Sequence, residues 1–445
     1  MRTTVRLAAA RVLITVGSGR ATLADELERA RADFRDERDR ALLLQLTANT
    51  LRWRNLLDHL IRQCADRPLS EIHETVLTVL RIAAFELRFH DTVPDHAILN
   101  EAVESVRQLR QNRAAGFVNA VLRTMTRTKD KLTVPPRPAD ASASPANAAN
   151  RAAWIRYLSI TLSHPEWLVT RYLERVGADA AEKWCEYNLS LPNVTVRLNA
   201  SIPRNKVDEV IAAVTFLGGA ESAVVPGAWR LPPGVLTGES HELLRPFIAI
   251  QDEGSQFVAH AAAAAPGEHV LDLCAAPGGK SAMFARAVRP GGFVISCDTR
   301  PRRLRVLRET LERENLPRRV VRLDGAEPLP FAPVFDRVVV DAPCSGLGTL
   351  RRDPDVKWTR DEASLARFSA IQRALIDRAS EAVRPGGTLV YATCSSEPEE
   401  NDDVVAGVLA AHPEFTQRTP PMATRPDRDA LDAFFVAVLV RRESA

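Results

Sequence analysis

The sequence predicts a multidomain protein: an all-α bundle first, a mixed α/β connecting region next, and a doubly wound α/β domain with a mainly parallel sheet last. Three observations predict it. The chain has 445 residues, and at roughly 150 per domain that makes two or three domains. The first 132 residues space their apolar side chains by three and four, with no strand-like alternation. After Asp252 the pattern changes to short apolar runs separated by amphipathic stretches of helix length, which is how βαβ units read.

The opening MRTTVRLAAARVLITVGSGR has an apolar stretch that a signal peptide would need, but Arg6 and Arg11 interrupt it and acidic helix-like sequence follows. It reads as the first helix of a cytoplasmic protein. Helical spacing continues through Leu42, Leu43 and Leu46, through Leu56, Leu57, Leu60 and Ile61, and through Val76, Val79, Leu80 and Ala83. The string VPPRPADASASPANAAN, residues 134–150, holds four prolines among small polar residues, the composition of a linker. The expected division is therefore a bundle over 1–132, a linker over 133–150, a connecting region over 151–248 and the α/β domain over 249–445. The connecting region is mixed because NVTVRLN, residues 193–199, alternates like a short strand after helical sequence.

Six apolar runs define the last domain: HVLDLC (269–274), FVISCD (293–298), RVVRLD (319–324), DRVVVD (336–341), TLVYATC (388–394) and FFVAVLV (434–440). Most end in an acid or a cysteine followed by a small residue. Ligands of such sheets bind at the carboxyl ends of the strands, so these acids and thiols are expected on one rim.

Composition excludes several classes. Hydrophobic residues make up 45% and charged residues 26% of the chain, which excludes a disordered or collagen-like protein. No apolar run approaches the roughly 20 residues of a bilayer span, so no membrane partner is expected. The net charge of +3 conceals an asymmetry: residues 1–134 carry 22 Lys/Arg against 17 Asp/Glu. Arg107, Arg110, Arg113, Arg123, Arg127, Lys129 and Lys131 face only Asp130 over their stretch, as a polyanion-binding segment would. The other reading of the same charges is a solvated helix face. Six scattered cysteines are too few for a disulfide framework, and no CxxC pair suggests zinc. No metal is expected, and free thiols remain available for chemistry.

The first chemical motif is LDLCAAPGGKS, residues 271–281, a strand entering a glycine turn and then a helix. A Walker-type phosphate loop needs a glycine where Cys274 stands, so the ATPase reading fails. What remains is a turn in which Gly278 and Gly279 let backbone N–H groups approach a ligand at a helix start. Asp298 ends the second strand, where an acid can bind a ribose diol; such acids also serve as helix caps. Cys344 in DAPCSGLGTLRRDPDVKW (341–358) and Cys394 in YATCSSEPEEN (391–401) each sit just past a strand among small polar residues, where a thiolate can be exposed and stabilised. Two thiols beside a nucleoside-cofactor site suggest covalent catalysis. Cys64, Cys185 and Cys297 read as buried packing.

The strings DLCAAPGGKS, DAPCSGLGTLRRDPDVKW and YATCSSEPEEN together resemble the S-adenosylmethionine-dependent RNA 5-methylcytosine methyltransferases, specifically the bacterial RsmB/Sun group acting on small-subunit (16S) ribosomal RNA. Residues 79–125 look like the antitermination factor NusB, an RNA-binding helical bundle. SHPEWLVTRYL (163–173) and QDEGSQ (251–256) are similar to the group's connecting region, so the resemblance covers nearly the whole chain except about 201–244. It implies a NusB-like bundle and a Rossmann-like methyltransferase domain, S-adenosylmethionine as cofactor, ribosomal RNA as partner, and action as a monomer. One departure is that the family's Asp-Gly-Phe-Phe turn is Asp432, Ala433, Phe434, Phe435 here.

The implied chemistry explains the two thiols. C5 of cytosine is too poor a nucleophile until a thiolate adds to C6, and after methyl transfer a base must remove the C5 proton. The resemblance assigns the nucleophile to Cys394 and gives Cys344 a part in proton removal and product release. The residues alone do not choose, since DNA cytosine methyltransferases use a cysteine at the position resembling Cys344. By the same resemblance Asp341 contacts the target cytosine and the cofactor's methyl region, where a negative group can stabilise a protonated N3. Cys274, Ala275, Ala276, Pro277, Gly278, Gly279 and Lys280 form the cofactor loop, Asp298 holds the ribose hydroxyls and Asp324 lies near the adenine amino group. Lys280, one of six lysines against 53 arginines, reads as a catalytic cation or as a plain helix-start charge. Arg300, Arg302, Arg303 and Arg305, and then Arg351, Arg352 and Lys357, are candidates for RNA phosphates, or for solvated helix faces. Two other functions fit parts of the pattern: methylation of transfer RNA by the same chemistry, and a non-catalytic RNA-binding factor in which the bundle is the active part.

Overall fold

The fold is described from a computed structural model covering residues 4–90, 92–140, 148–199 and 201–443. The chain packs as two compact units, one of residues up to Ser190 plus Leu350–Asp361, the other of Leu191–Thr349 plus Glu362–Ala445.

The first unit is helical. Thr4, Thr22 and Asp36 each accept a backbone N–H at the start of the helices Val5–Gly17, Leu23–Arg31 and Glu37–Arg52, as N-caps do. Helix Glu74–Phe89 runs through the middle with residues 76–87 all buried, and Leu43, Leu46, Leu57, Ile61, Val106 and Leu122 join the same core. Its two buried charges are paired: Arg81 with Asp58 at 2.6 Å, and Glu86 with Arg6 at 2.7 Å. The seven basic residues of the polyanion-binding candidate are all exposed, on and after helices Asp95–Gln108 and Ala115–Arg127.

The organisation differs from expectation in the middle of the chain. Helices Glu166–Val176 and Ala178–Leu189 belong to the first unit, where Tyr172 stacks on Trp184 at 4.9 Å, while the strand from Val194 belongs to the second. The described part of the linker is fastened to the first unit: Gln63 donates to the Thr133 carbonyl, Arg137 pairs with Glu182, and Trp154 donates to the Asp140 carbonyl. The rest of that segment, residues 141–147, lies outside the described residues.

The segment Leu350–Asp361, downstream of Cys344, also packs into the first unit. Lys357, expected at an RNA-facing rim, is 1% exposed and donates to the carbonyls of Arg52 (2.8 Å) and Ser163 (2.6 Å). Burial, with Arg52 second, pushes its ammonium pKa well down. A desolvated amine satisfied by two carbonyls is a packing element, and it is removed as a phosphate contact.

The second unit holds two sheets. The smaller is antiparallel in the order β2-β3-β1-β4, from β1 (Val194–Leu198), β2 (Ala220–Glu221), β3 (Trp229–Leu231) and β4 (Ile248–Ile250). The larger contains β5 (His269–Asp272), β6 (Phe293–Asp298), β7 (Val320–Arg322), β8 (Phe335–Asp341), β9 (Val383–Thr393), β10 (Phe415–Gln417), β11 (Met422–Ala423) and β12 (Phe435–Arg441), in the order β10-β12-β9-β8-β5-β6-β7 with β11 on β12. From β7 to β9 every pairing is parallel, whereas β12 runs antiparallel to β9. Helices cover both faces, so successive residues of one strand enter different cores: Val338 and Val340 pack on one side, Val339 on the other. That is why these strands read as unbroken apolar runs. The chain turns back at β5, first outward to β6 and β7 and then across to β8, which makes the carboxyl ends of β5 and β8 the switch point.

Candidate active site

Two neighbouring parallel strands determine where the thiols go. Asp341 at the end of β8 pairs in register with Ala392 of β9, and Ala342 donates to the Ala392 carbonyl at 2.9 Å. Cys344 and Cys394 leave these ends three and two residues later, and their Sγ atoms lie 3.2 Å apart. Gly348 fixes the returning loop: it donates to the Cys394 carbonyl at 2.9 Å and accepts from the Ala433 N–H at 2.9 Å. A side chain at 348 would collide with the Ala433 carbonyl. Ala433, which replaces the family's glycine, is 3% exposed and is not in the left-handed region, so that turn forms without glycine.

Both thiols are half-buried. The hydrogen bond with Cys394 is the largest cause holding the Cys344 thiol well above its ordinary pKa, followed by burial and by the charges of Cys394 and Glu400. Two sulfurs this close do not both ionise readily, so the pair shares a proton. Cys274 and Cys297, pushed up by burial, the latter to about 12, stay protonated.

Lys280 opens helix Gly279–Ala287, and its Nζ lies 2.6 Å from Asp341 Oδ2. Burial opposes the Lys280 charge, but Asp341 more than offsets it, so the ammonium is held above its usual value; Cys394 contributes to the same effect. The preceding loop depends on Gly278, at φ +108° and with Leu307 2.8 Å from where a Cβ would stand. Ala275, Ala276, Pro277, Gly279, Lys280 and Asp341 line one cavity of about 440 Å³.

Asp272, at the end of β5, is buried, accepts from Ser281 Oγ at 2.6 Å, and is raised to about 7 by burial. Asp298 is 4% exposed and accepts from the Arg300 N–H, with Arg303 3.3 Å away. Arg303 also donates to the Ala276 carbonyl at 2.6 Å, so it braces the loop instead of facing RNA alone. Arg300, Arg302 and Arg305 are exposed. Asp324 is exposed two residues past β7 and caps its own turn through the Ala326 N–H.

Sequence reasoning passed over two groups. Arg197 of β1 forms a buried ion pair with Glu314 (2.6 Å), donates to Gln251 Oε1 (2.7 Å) and reaches the Gly279 carbonyl (3.4 Å). Its only signal is an arginine inside an alternating strand. Glu400, within the YATCSSEPEEN string, is fully buried and accepts from Ser345 and Ser395, the residues that follow the two cysteines. A carboxylate in a motif gives no hint of which groups it will meet.

Against known proteins, residues 259–440 match the family model of 16S rRNA methyltransferase RsmB/F, and residues 3–127 match that of the NusB family. The probable ribosomal RNA small subunit methyltransferase B of Bacillus subtilis is 33% identical over 385 residues, spanning 85% of this chain and 82% of that protein. The chain belongs to the RsmB/F family of 16S rRNA methyltransferases. The corresponding enzyme of Pseudomonas putida is 31% identical, covering 92% of this chain and 89% of its own. The crystal structure of PH0851 has the same fold, with a TM-score of 0.76 and 23% identity over 98% of this chain and 99% of that one. A helical NusB domain thus precedes a Rossmann-like methyltransferase domain. No helix among the described residues is long and apolar enough to cross a membrane.

Proposed function

We propose that this RsmB/F chain methylates C5 of a cytosine in small-subunit ribosomal RNA, using S-adenosylmethionine and a covalent bond from Cys394 Sγ to cytosine C6. The observation that carries the reading is the 3.2 Å approach of Cys344 and Cys394 at the ends of β8 and β9, where Lys280 pairs with Asp341 at 2.6 Å.

The residues present fit the cofactor. Asp298 offers a buried carboxylate for a ribose diol, the turn over residues 274–280 brings backbone to the strand ends, and the buried Asp272 Oδ1 has no hydrogen-bond partner among the described residues. When bound, S-adenosylmethionine supplies a methyl group made electrophilic by its sulfonium. Every other part of the chemistry belongs to the chain.

A base must leave any stack to reach a thiol, so the target cytosine enters unpaired or flipped. The Cys394 thiolate adds to C6: its electron pair makes the S–C6 bond, and the C5=C6 π pair becomes available at C5. Asp341, oriented by Lys280, faces the polar edge of the pyrimidine and favours a proton at N3. Once methylated, C5 carries both the new methyl and its original hydrogen. Removal of that proton returns the C5–H pair to the ring, re-forms C5=C6 and expels Cys394 as thiolate.

The coupling of the thiols times this last step. While Cys394 is anionic, Cys344 holds its proton. When Cys394 becomes a thioether, the largest cause of the raised Cys344 pKa disappears; Cys344 then releases its proton to solvent water, and the resulting thiolate takes the C5 proton, ending as the thiol again. Bisulfite sequencing of small-subunit ribosomal RNA methylated by the purified enzyme tests the reading. One protected cytosine is expected; methylation at another atom, or of transfer RNA alone, would overturn it.

A further inference from the structure

Beneath the thiols lies a carboxylate that the mechanism above does not use. Glu400 is fully buried, on the short turn Pro398–Glu400 that follows the Cys394 loop. Its Oε2 accepts from Ser345 Oγ and from Ser395 Oγ, each at 2.5 Å. Its Oε1 accepts from the Ser345 N–H at 2.7 Å and from Gln372 Nε2 at 3.0 Å. Ser345 directly follows Cys344, Ser395 directly follows Cys394, and the two hydroxyls are themselves 3.2 Å apart. Tyr391 donates to the Glu400 carbonyl at 2.5 Å, and Asn401 holds Thr393 and the Ser395 carbonyl.

We infer that Glu400 is the positioning residue for both thiols: one buried carboxylate binds the residue after each cysteine and so sets their separation and orientation. The inference rests on the covalent reading of the site. The Gly348 N–H to Cys394 carbonyl bond joins the two loops through backbone, and Glu400 joins them again directly after each thiol; a carboxylate accepting four hydrogen bonds is stiff. Its charge acts as well. The titratable groups acting on Cys344 are Cys394 and Glu400, Tyr391 also interacts with it, and Lys280 interacts with Cys394; the Glu400 charge favours the protonated form of Cys344.

The test uses the full-length protein. Glu400→Gln keeps the size but provides one acceptor oxygen in place of two and removes the charge. Expected results are a kcat loss on the order of 10- to 100-fold, as for sub-ångström misplacement of reacting groups, with cofactor affinity within about twofold of the parent. The pH midpoint for iodoacetamide alkylation of Cys344, followed by mass spectrometry in the absence of RNA, should move down. Glu400→Asp keeps the charge but retracts it, so the alkylation midpoint should return while kcat stays low. Ser345→Ala/Ser395→Ala, which should reproduce the kcat loss, serves if the Glu400 variants do not fold. Parent-like kcat and alkylation in Glu400→Gln, or parent-like kcat in the double serine variant, would overturn the inference. Alkylation needs no RNA, so it separates failure of this inference from failure of the cytosine reading.

Discussion

Cys344 and Cys394 share a hydrogen bond of 3.2 Å across two loops that leave neighbouring parallel strands. Only one of two thiols this close can ionise readily, and the contact with Cys394, then burial, raises the Cys344 thiol above its ordinary range.

The first prediction separates their roles. Cys394→Ala should abolish methylation, because no nucleophile remains for C6. Cys344→Ala should still form the adduct but resolve it slowly, so a cofactor-dependent covalent RNA band should build up on a denaturing gel. The opposite pattern would exchange the assignments.

A second prediction concerns Lys280. Lys280→Met removes the cation 2.6 Å from Asp341 and leaves that carboxylate free to turn away from the base. Turnover should fall by about 10²-fold or more, the range for a lost polar catalytic group, and Lys280→Arg should rescue it poorly because a planar fork does not replace a point charge. Single-turnover rates decide this, and full rescue by arginine would reduce Lys280 to a helix-start charge.

A third follows from Asp272. Its folded pKa is raised from 3.8 to about 7, chiefly by burial. The folded state thus binds the proton more tightly than the unfolded state, and the resulting stability is complete below pH 4 and lost as pH rises through 7. Asp272→Asn still offers Ser281 an acceptor but does not titrate. Relative to the parent, the cofactor-free variant should gain about 2 to 3 kcal/mol between pH 5 and pH 8, at about 1.4 kcal/mol per pKa unit. Urea melts at the two pH values measure it, and equal differences at both would refute the assignment.

The fourth tests the Arg197–Glu314 pair. Breaking a buried pair by removing one partner costs about 3 to 5 kcal/mol, so Arg197→Met should lower stability by that amount and weaken cofactor binding through the Gly279 carbonyl. Arg197→Met/Glu314→Met should recover most of the stability but not the affinity. Parent-like affinity in both would mean the pair does not brace the loop.

The sequence by itself determined the helical first part, the strand runs beginning near residues 269, 293, 320, 336, 388 and 435, and the placing of acids and cysteines at strand ends. These are local properties: burial on both faces gives an unbroken apolar run, burial on one stripe gives three-and-four spacing, and both are written in consecutive residues. Only the tertiary structure decided which polar groups meet. It sent Lys357 to carbonyls near 52 and 163, joined Arg197 to Glu314, put Glu400 beneath both thiols and attached residues 166–189 to the first unit. A buried charge must find its partner wherever packing brings one, across 5 residues or 305, and no period in the chain encodes that choice.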